Sequence, residues 1–458
     1  MLTSDDSSSS DRRGFRAAIL DFVEDPFYVT ETECARYFSD GLLVLEAGKV
    51  LALGHYEDLI QAYAEIPIVT YPNQLILPGF IDTHIHFPQT EMIAAYGEQL
   101  LQWLSSYTFP IERKFSDYDY ALKVANVFLD ELLRNGTTTA LVFAAVFPAS
   151  VEALFTAAIE RNLRLIAGKV MMDRNAPDFL LDTAESAYED SKRLIQKWHD
   201  RGRLAYAVTP RFAVTSSEAQ LEVARRLMAE FPSVYLQTHL SENLAEIELV
   251  QQLFPDCEGY LDIYDRAGLV GDRSVFAHCI HLTDAEFQRL SAAGSAIACC
   301  PTSNLFLGSG LFKFEQAKSR QHPVEVGLGT DIGAGTSFSL LQTANEAYKV
   351  AQLRQQKLSP FQALFLATLG GARALGLENK IGNFDPGKEA DFIVLDRRST
   401  PLMAFRNPVE SPTSLSALAD QLFSLIILGD DRAVAATYIM GELAYPRSHP
   451  PTAKTAAS

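Results

Sequence analysis

Cysteine is scarce. There are five in 458 residues (Cys34, Cys257, Cys279, Cys299 and Cys300), with no C-x-x-C pair. An odd, unevenly spaced set excludes a disulfide framework and a zinc-finger module, and predicts reduced thiols in a cytoplasmic protein. Long apolar runs are missing as well. The longest, Ala140 to Phe147, spans eight residues, against the roughly 20 that a membrane helix needs. The opening MLTSDDSSSSDRRGF holds no apolar stretch of the kind that directs secretion. Basic residues are outnumbered, 39 Lys and Arg against 57 Asp and Glu, giving a net charge of −18. That balance opposes binding to a phosphate backbone, so neither nucleic acid nor membrane is expected as a partner. A small neutral ligand in a pocket is not excluded. No strand candidate opens a G-x-G-x-x-G or G-x-x-x-x-G-K-[ST] phosphate loop.

What is present is an ordinary globular composition, 48% apolar and 21% charged, in a chain long enough for several domains or one barrel with an accessory module. Residues 1–14 and 447–458 read as disordered tails. Short apolar runs punctuated by Gly and Asp (AAIL, GLLVLEAGKVLALG, IPIVTY) predict strands and hairpins over residues 15–76. The same texture returns in IGNFDPGKEADFIVLD and VAATYIMGELAY, so residues 15–76 plus 379–446 predict one small β-sandwich-like domain built from both ends.

Residues 77–378 follow a different rhythm. Eight strand candidates (LPGFIDTHIHF, TTTALVFAAV, LRLIAGKVMM, LAYAVTPRF, VYLQTHLSE, SVFAHCIHL, SAIACCPTS and VEVGLGTDIG) alternate with longer segments. DYDYALKVANVFLDELLRN has apolar positions near a 3.6 period, and SEAQLEVARRLMAEF opens with Ser217 and Gln220 in capping-box spacing. Eight such units predict an α/β fold, a TIM-like (β/α)8 barrel, in preference to an open doubly wound sheet.

The polar residues closing those strands are rich in metal ligands. The first strand ends Asp82-Thr83-His84-Ile85-His86, the fifth in His239, the sixth in His278 and the eighth in Asp331. Residues two apart on a strand share a face, and in a barrel all C-terminal strand ends converge on one mouth. One H-x-H pair would mean little. Four of nine histidines at phased barrel positions, with an aspartate, suit Zn²⁺, with Fe²⁺ as the alternative. The others (His55, His199, His281, His322 and His449) read as structural, His281 the least certain because it follows His278 closely. The fourth strand ends Val208-Thr209-Pro210-Arg211-Phe212, with no lysine to bridge two ions, and Lys169 on the third reads as structural. One metal is therefore expected, held by His84, His86, His239 and Asp331. His278 is left to polarise a water, and Asp331 serves also as a proton acceptor. Glu242, three residues past His239, is placed to carry a proton, and it also suits the start of the helix that follows.

These residues resemble the amidohydrolase superfamily. More narrowly, PGFIDTHIHFPQ, GEQLLQWLSSYTFPIE, NGTTTA, GKVMMD, VTPRF, THLSEN, CPTSNL, LGTDIGAG and IGNFDPGKEADFIVLD resemble the guanine deaminase family, from about Gly14 to Tyr445. The resemblance implies hydrolytic deamination of guanine to xanthine and ammonia, one zinc per chain and a homodimer. It matches His84, His86, His239 and Asp331 to the metal ligands and Glu242 to the proton shuttle, with His278 and Asp331 assisting catalysis. Gln89, Arg211 and Phe212 match the purine-gripping positions, and His86, His239, Glu242 and Asp331 face the same substrate. From the residues alone, Arg211 could instead pair with a carboxylate, Phe212 belong to the core and Gln89 cap a helix. Trp103, Tyr107 and Phe109 could close the pocket or pack beneath it.

Two rivals stand beside that reading. A related single-metal hydrolase could act on another purine, a pterin or a triazine, and a barrel of this kind could serve as a non-catalytic scaffold. The other zinc deaminase design requires H-x-E followed by P-C-x-x-C. Cys299-Cys300-Pro301 has the wrong order for it, and the two thiols read as packing residues.

Overall fold

The structure, a computed structural model, describes residues 12–97 and 99–447 and the backbone of Lys454 and Thr455. Four strands come from the N-terminal region: β1 (Arg12–Phe22), β2 (Ala35–Glu46), β3 (Lys49–His55) and β4 (Pro67–Pro78). The barrel strands follow as β5 (Phe80–His86), β6 (Thr137–Phe143), β7 (Arg164–Gly168), β8 (Val170–Met171), β9 (Leu204–Pro210), β10 (Tyr235–Leu240), β11 (Ser274–His278), β12 (Ala296–Cys299) and β13 (Glu325–Leu328). Three more, β14 (Phe392–Leu395), β15 (Val434–Ile439) and β16 (Glu442–Pro446), return to the first sheet.

The sheet built from both ends runs β16-β15-β14-β4-β1-β2-β3, one continuous ladder. Side chains alternate along β1. Phe15, Ala17 and Ile19 join a core private to this sheet, while Ala18, Leu20 and Phe22 join the barrel's core. The period of two thus serves two hydrophobic layers at once. The sandwich-like packing expected from the sequence takes the form of this two-faced sheet. Its first strand starts at Arg12, and Lys454–Thr455 pair with β4, so both stretches expected to be tails contain paired backbone. Residues 1–11, including most of the expected N-terminal tail, lie outside the described residues, as does His449.

The second sheet is parallel throughout and ordered β5-β6-β7-β9-β10-β11-β12-β13, with β8 against β9. All eight strand candidates are present. Each is shorter than its sequence segment, and His84, His86, His239 and His278 lie within the last residues of β5, β10 and β11 while Asp331 follows β13. The seam between β13 and β5 is joined just beyond the last strand. The Asp331 N–H donates to the His84 carbonyl at 2.9 Å and the His86 N–H to that of Ile332 at 3.0 Å. Asp82, fully buried, adds a second tie by accepting from the N–H groups of His84 and Thr330, both at 3.1 Å.

Helices α1 (Tyr118–Arg134) and α2 (Glu218–Glu230) form where the 3.6 period predicts them. Only half of the expected capping box on α2 exists. Ser217 Oγ accepts from the Gln220 N–H at 3.3 Å, but the Ser217 N–H is taken by Asp173 at 2.8 Å and Gln220 is buried. Helix α3 (Leu244–Leu253) has the complete box, with Asn243 as cap and Glu246 reaching back.

Candidate metal centre and active site

The barrel's C-terminal rim brings together His84, His86, His239 and Asp331, all buried. His84 and His86 project from one face of β5 with their Nε2 atoms 3.2 Å apart, and His239 Nε2 lies 3.3 Å from His86 Nε2. Asp331 Oδ1 sits 3.2 Å from His84 Nε2 and 3.3 Å from His86 Nε2. The Nδ1–H of His239 donates to the Arg211 carbonyl at 2.7 Å, which leaves its Nε2 with a bare lone pair turned toward His86. Burial drives all three imidazoles toward the neutral form, His86 down to about 3. Burial opposes ionisation of Asp331, but its contacts with His84 and His86 hold it well below the usual carboxylate range.

Three neutral imidazoles and an anionic carboxylate, with donor atoms 3.2–3.3 Å apart, suit a cation held about 2.0–2.2 Å from each. A further buried atom is left without a hydrogen-bond partner in the same place: His278 Nε2, 3.8 Å from Asp331 Oδ2 and 3.5 Å from Glu242 Oε2. Its Nδ1 is anchored on Asn304 Oδ1 at 2.9 Å. The donor set fits a borderline divalent ion such as Zn²⁺. Cys300 is buried in the same neighbourhood, but burial keeps its thiol protonated and its Sγ donates to the Ala298 carbonyl. Four non-glycine residues on this rim, Ser241, His278, Cys279 and Asp331, hold backbone with positive φ, of 49°, 68°, 54° and 52°. Such strain, about 1–3 kcal/mol each, persists where surrounding structure enforces it.

Glu242 lies at the turn between β10 and α3. Its own N–H and that of Asn243 donate to Glu246, at 3.0 and 3.1 Å, and Glu246 also accepts from the Tyr260 hydroxyl at 2.7 Å. The Glu242 carboxylate accepts from Ser309 Oγ at 3.2 Å. Burial first, and then the nearby Asp331 charge, push its pKa up to about 8. His281, the histidine of uncertain role, supports this arrangement from behind by bonding to the Ser309 carbonyl at 2.9 Å. Lys169 is buried and ion-paired with Asp182, a structural role.

A narrow cavity of about 370 Å³ including its mouth opens onto His86, His239, His278, Glu242 and Asp331. Gln89, Arg211 and Phe212 line it too, and Leu100, Trp103, Leu104, Leu307 and Ala334 contribute apolar wall. All the expected site residues therefore meet in one place, His84 lying behind the others. Arg211 does pair with a carboxylate, Glu112, through Nη1 at 2.9 Å to each oxygen, and it lines the cavity as well. Gln89 caps no helix. Its Oε1 accepts from the Gly333 N–H at 3.0 Å. Of the three aromatic residues, Trp103 borders the cavity, Phe109 lies 5.7 Å from the Arg211 guanidinium and Tyr107 packs half-buried against the core. Glu112, Ser309, Asn304 and Glu246 were not singled out from sequence. Glu112 stands inside the quoted segment WLSSYTFPIE, an acidic residue in an otherwise apolar and hydroxylic stretch.

Comparison with known proteins agrees with this geometry. Residues 75–444 match the Amidohydrolase family. The guanine deaminase of Escherichia coli (strain K12) is 56% identical over 414 residues, covering 90% of this chain and 93% of that protein. A solved structure of guanine deaminase from Bradyrhizobium japonicum superposes with a TM-score of 0.93 at 41% identity, covering 96% of this chain and all of that one. The guanine deaminase of C. acetobutylicum, solved with guanine bound in its active site, gives 0.85 at 29% identity over 95% of this chain and 100% of that one. With a ligand-bearing barrel rim of this form and relatives this close, the chain belongs to the amidohydrolase family and, within it, to the guanine deaminases.

Proposed function

We propose that this protein hydrolyses guanine to xanthine and ammonia, a step of purine breakdown, using one Zn²⁺ per chain, with Fe²⁺ as a possible substitute. The single observation that carries the reading is the pairing, across one cavity, of a cation-ready donor set with a buried proton carrier and a donor-bearing wall. His84, His86, His239 and Asp331 would hold the ion. When bound, that ion supplies the Lewis acidity that makes water a nucleophile near neutral pH. Arg211 donates to the substrate carbonyl, Gln89 to a ring nitrogen, and Phe212 packs on the ring face. Aromatic stacking of a base contributes about 1–3 kcal/mol. Glu242, which burial otherwise keeps protonated, would be ionised by the charge of the bound ion, so that its carboxylate takes the water's proton and passes it to the ring nitrogen beside the amino-bearing carbon. It and Asp331 then carry the remaining proton of the added hydroxyl to the departing amine as the carbonyl of the product forms, and His278 orients the attacking oxygen. Rate contributions of about 10²–10⁴ are typical of such positioned proton carriers.

The assembly is proposed to be a homodimer in the cytoplasm. Five free cysteines suit a reducing compartment. Leu402, Phe405 and Val409, 60%, 90% and 46% exposed, leave apolar surface that a second subunit would cover. Among the described residues no helix is long and apolar enough to cross a membrane.

The deciding experiment follows xanthine formation from guanine with and without chelator, alongside ammonia release from adenine, cytosine, a pterin and a triazine. Chelator-sensitive xanthine production with about one zinc per chain is the expected result. Release from another substrate alone would assign the barrel to a different reaction, and a metal-free protein inert toward all of them would make it a scaffold.

A further inference from the structure

Glu112 is fully buried, and its carboxylate has two neighbours, both on the wall facing the metal centre. Both oxygens lie 2.9 Å from Arg211 Nη1, and Oε1 lies 3.5 Å from Gln89 Nε2. The Gly333 N–H fixes which way the Gln89 amide points, because it occupies Oε1 and leaves Nε2 on the Glu112 side. Arg211 is 3% exposed and lines the cavity, yet its Nη2 and Nε make no hydrogen bond among the described residues. One carboxylate thus engages a single corner of the guanidinium and turns the amide, and the unused N–H groups belong to residues bordering the cavity.

Resting on guanine deamination as the activity, we infer that Glu112 is a positioning residue that sets substrate specificity: it holds Arg211 and Gln89 so that the pocket presents only donors to the purine's carbonyl edge. A purine with an amino group on that edge places N–H against N–H, and a buried wall of donors left unpaired discriminates strongly. Glutamine at position 112 offers both a donor and an acceptor and carries no charge. It releases the Arg211 corner and allows the amide of Gln89 to present either end. The consequence is a loss of edge discrimination more than a loss of the chemical step.

The test compares guanine with 2,6-diaminopurine, which keeps the amino group to be hydrolysed, replaces the carbonyl by an amino group and turns the neighbouring N1–H into an acceptor. Zinc-loaded wild type, Glu112→Gln and Glu112→Asp are assayed for kcat and KM on both, with the Ki of 2,6-diaminopurine as competitor read alongside. The expected result for Glu112→Gln is a KM for guanine raised at least tenfold with a smaller change in kcat. The guanine-to-diaminopurine preference, from kcat/KM or from KM over Ki, falls at least tenfold, and Glu112→Asp shifts both readouts the same way by less. A uniform binding loss appears in KM rather than kcat. Equal losses on both compounds, or a loss confined to kcat, would overturn the inference. Should Glu112→Gln not fold, Glu112→Asp carries the same comparison, and an unchanged preference there overturns it. A wild-type enzyme inactive on guanine would instead remove the proposed activity itself.

Discussion

A carboxyl group fully enclosed by protein is costly to ionise, and Glu242 shows what that means for one residue. Its pKa is pushed up to about 8, chiefly by burial, whereas an unfolded glutamate titrates near 4.3. Below about pH 4.3 the group is protonated in both states and costs nothing. As pH rises from there toward 8 the unfolded chain releases its proton first, so the folded state loses stability across that window. Glu242→Gln removes the liability together with the proton carrier. The expected outcome is a variant that still binds zinc and guanine but loses about 10²–10⁴ in kcat. After chelation its Tm exceeds that of wild type by an amount that grows from pH 5 to pH 8. Parallel Tm curves would show that Glu242 is not the source of the strain. At this scale the residues that converge on the rim were legible in the sequence, because H-x-H on one strand face and a histidine or aspartate at later strand ends follow from period and topology alone. Glu112, Ser309 and Asn304 were opaque for the opposite reason. Each acts through a partner 99, 67 or 26 positions away, and nothing local marks an acid or hydroxyl whose partner the fold chooses.

Elements were legible where burial is symmetrical. The eight barrel strands are buried on both faces and several end in polar residues, so strand and rim can often be read from one segment. The stretch from Phe87 to Ser116 was not. Its described residues Phe87–Met92 and Leu100–Ser116 form short, irregular helical turns, including one π turn over Leu104–Thr108, with no sustained period. Close strand packing also depends on a residue whose role its sequence context hides. Gly168, at the end of β7, lies so near β9 that an added Cβ would overlap the Ala207 carbonyl oxygen. Backbone cannot move aside as a side-chain tip does. Gly168→Ala is therefore expected to cost about 1–3 kcal/mol or more and to lower Tm by several degrees. Gly271→Ala, whose Cβ would meet nothing within 4 Å, serves as the control and leaves Tm essentially unchanged. A Gly168→Ala protein as stable as that control would mean that β7 and β9 are less tightly apposed than described.

The whole molecule has two ends with opposite electrostatic habits. The rim gathers three histidines and Glu242, whose ionisation burial resists, and the base is fastened by ion pairs around Glu389, whose ionisation they favour. There, Arg164 at the start of β7 and Arg203 ahead of β9 meet Glu389 and Asp391, which precede β14 in the terminal sheet. Glu389 accepts from Arg164 Nε at 2.9 Å and from Arg203 Nε and Nη2 at 3.1 and 2.8 Å. Burial opposes its ionisation, but the two guanidinium groups prevail and lower its pKa. A lowered carboxylate pKa gives stability that is complete above the unfolded value, about 4.3, and is lost as pH falls through the folded one. Acid should therefore loosen the joint between barrel and sheet. Glu389→Gln is expected to leave Arg164 without a carboxylate and Arg203 with Asp391 alone, and to lower stability at pH 7 by up to about 3–5 kcal/mol. The same change should flatten the further loss below about pH 4.3, because the group that titrates there is gone. Denaturant midpoints at pH 7, 5, 4 and 3.5 measure both effects. A variant whose midpoint falls with acid as steeply as wild type would show that the clamp does not govern the acid limb, leaving the apolar face that β1, β4, β14 and β15 turn toward the barrel as the main tie between the two sheets.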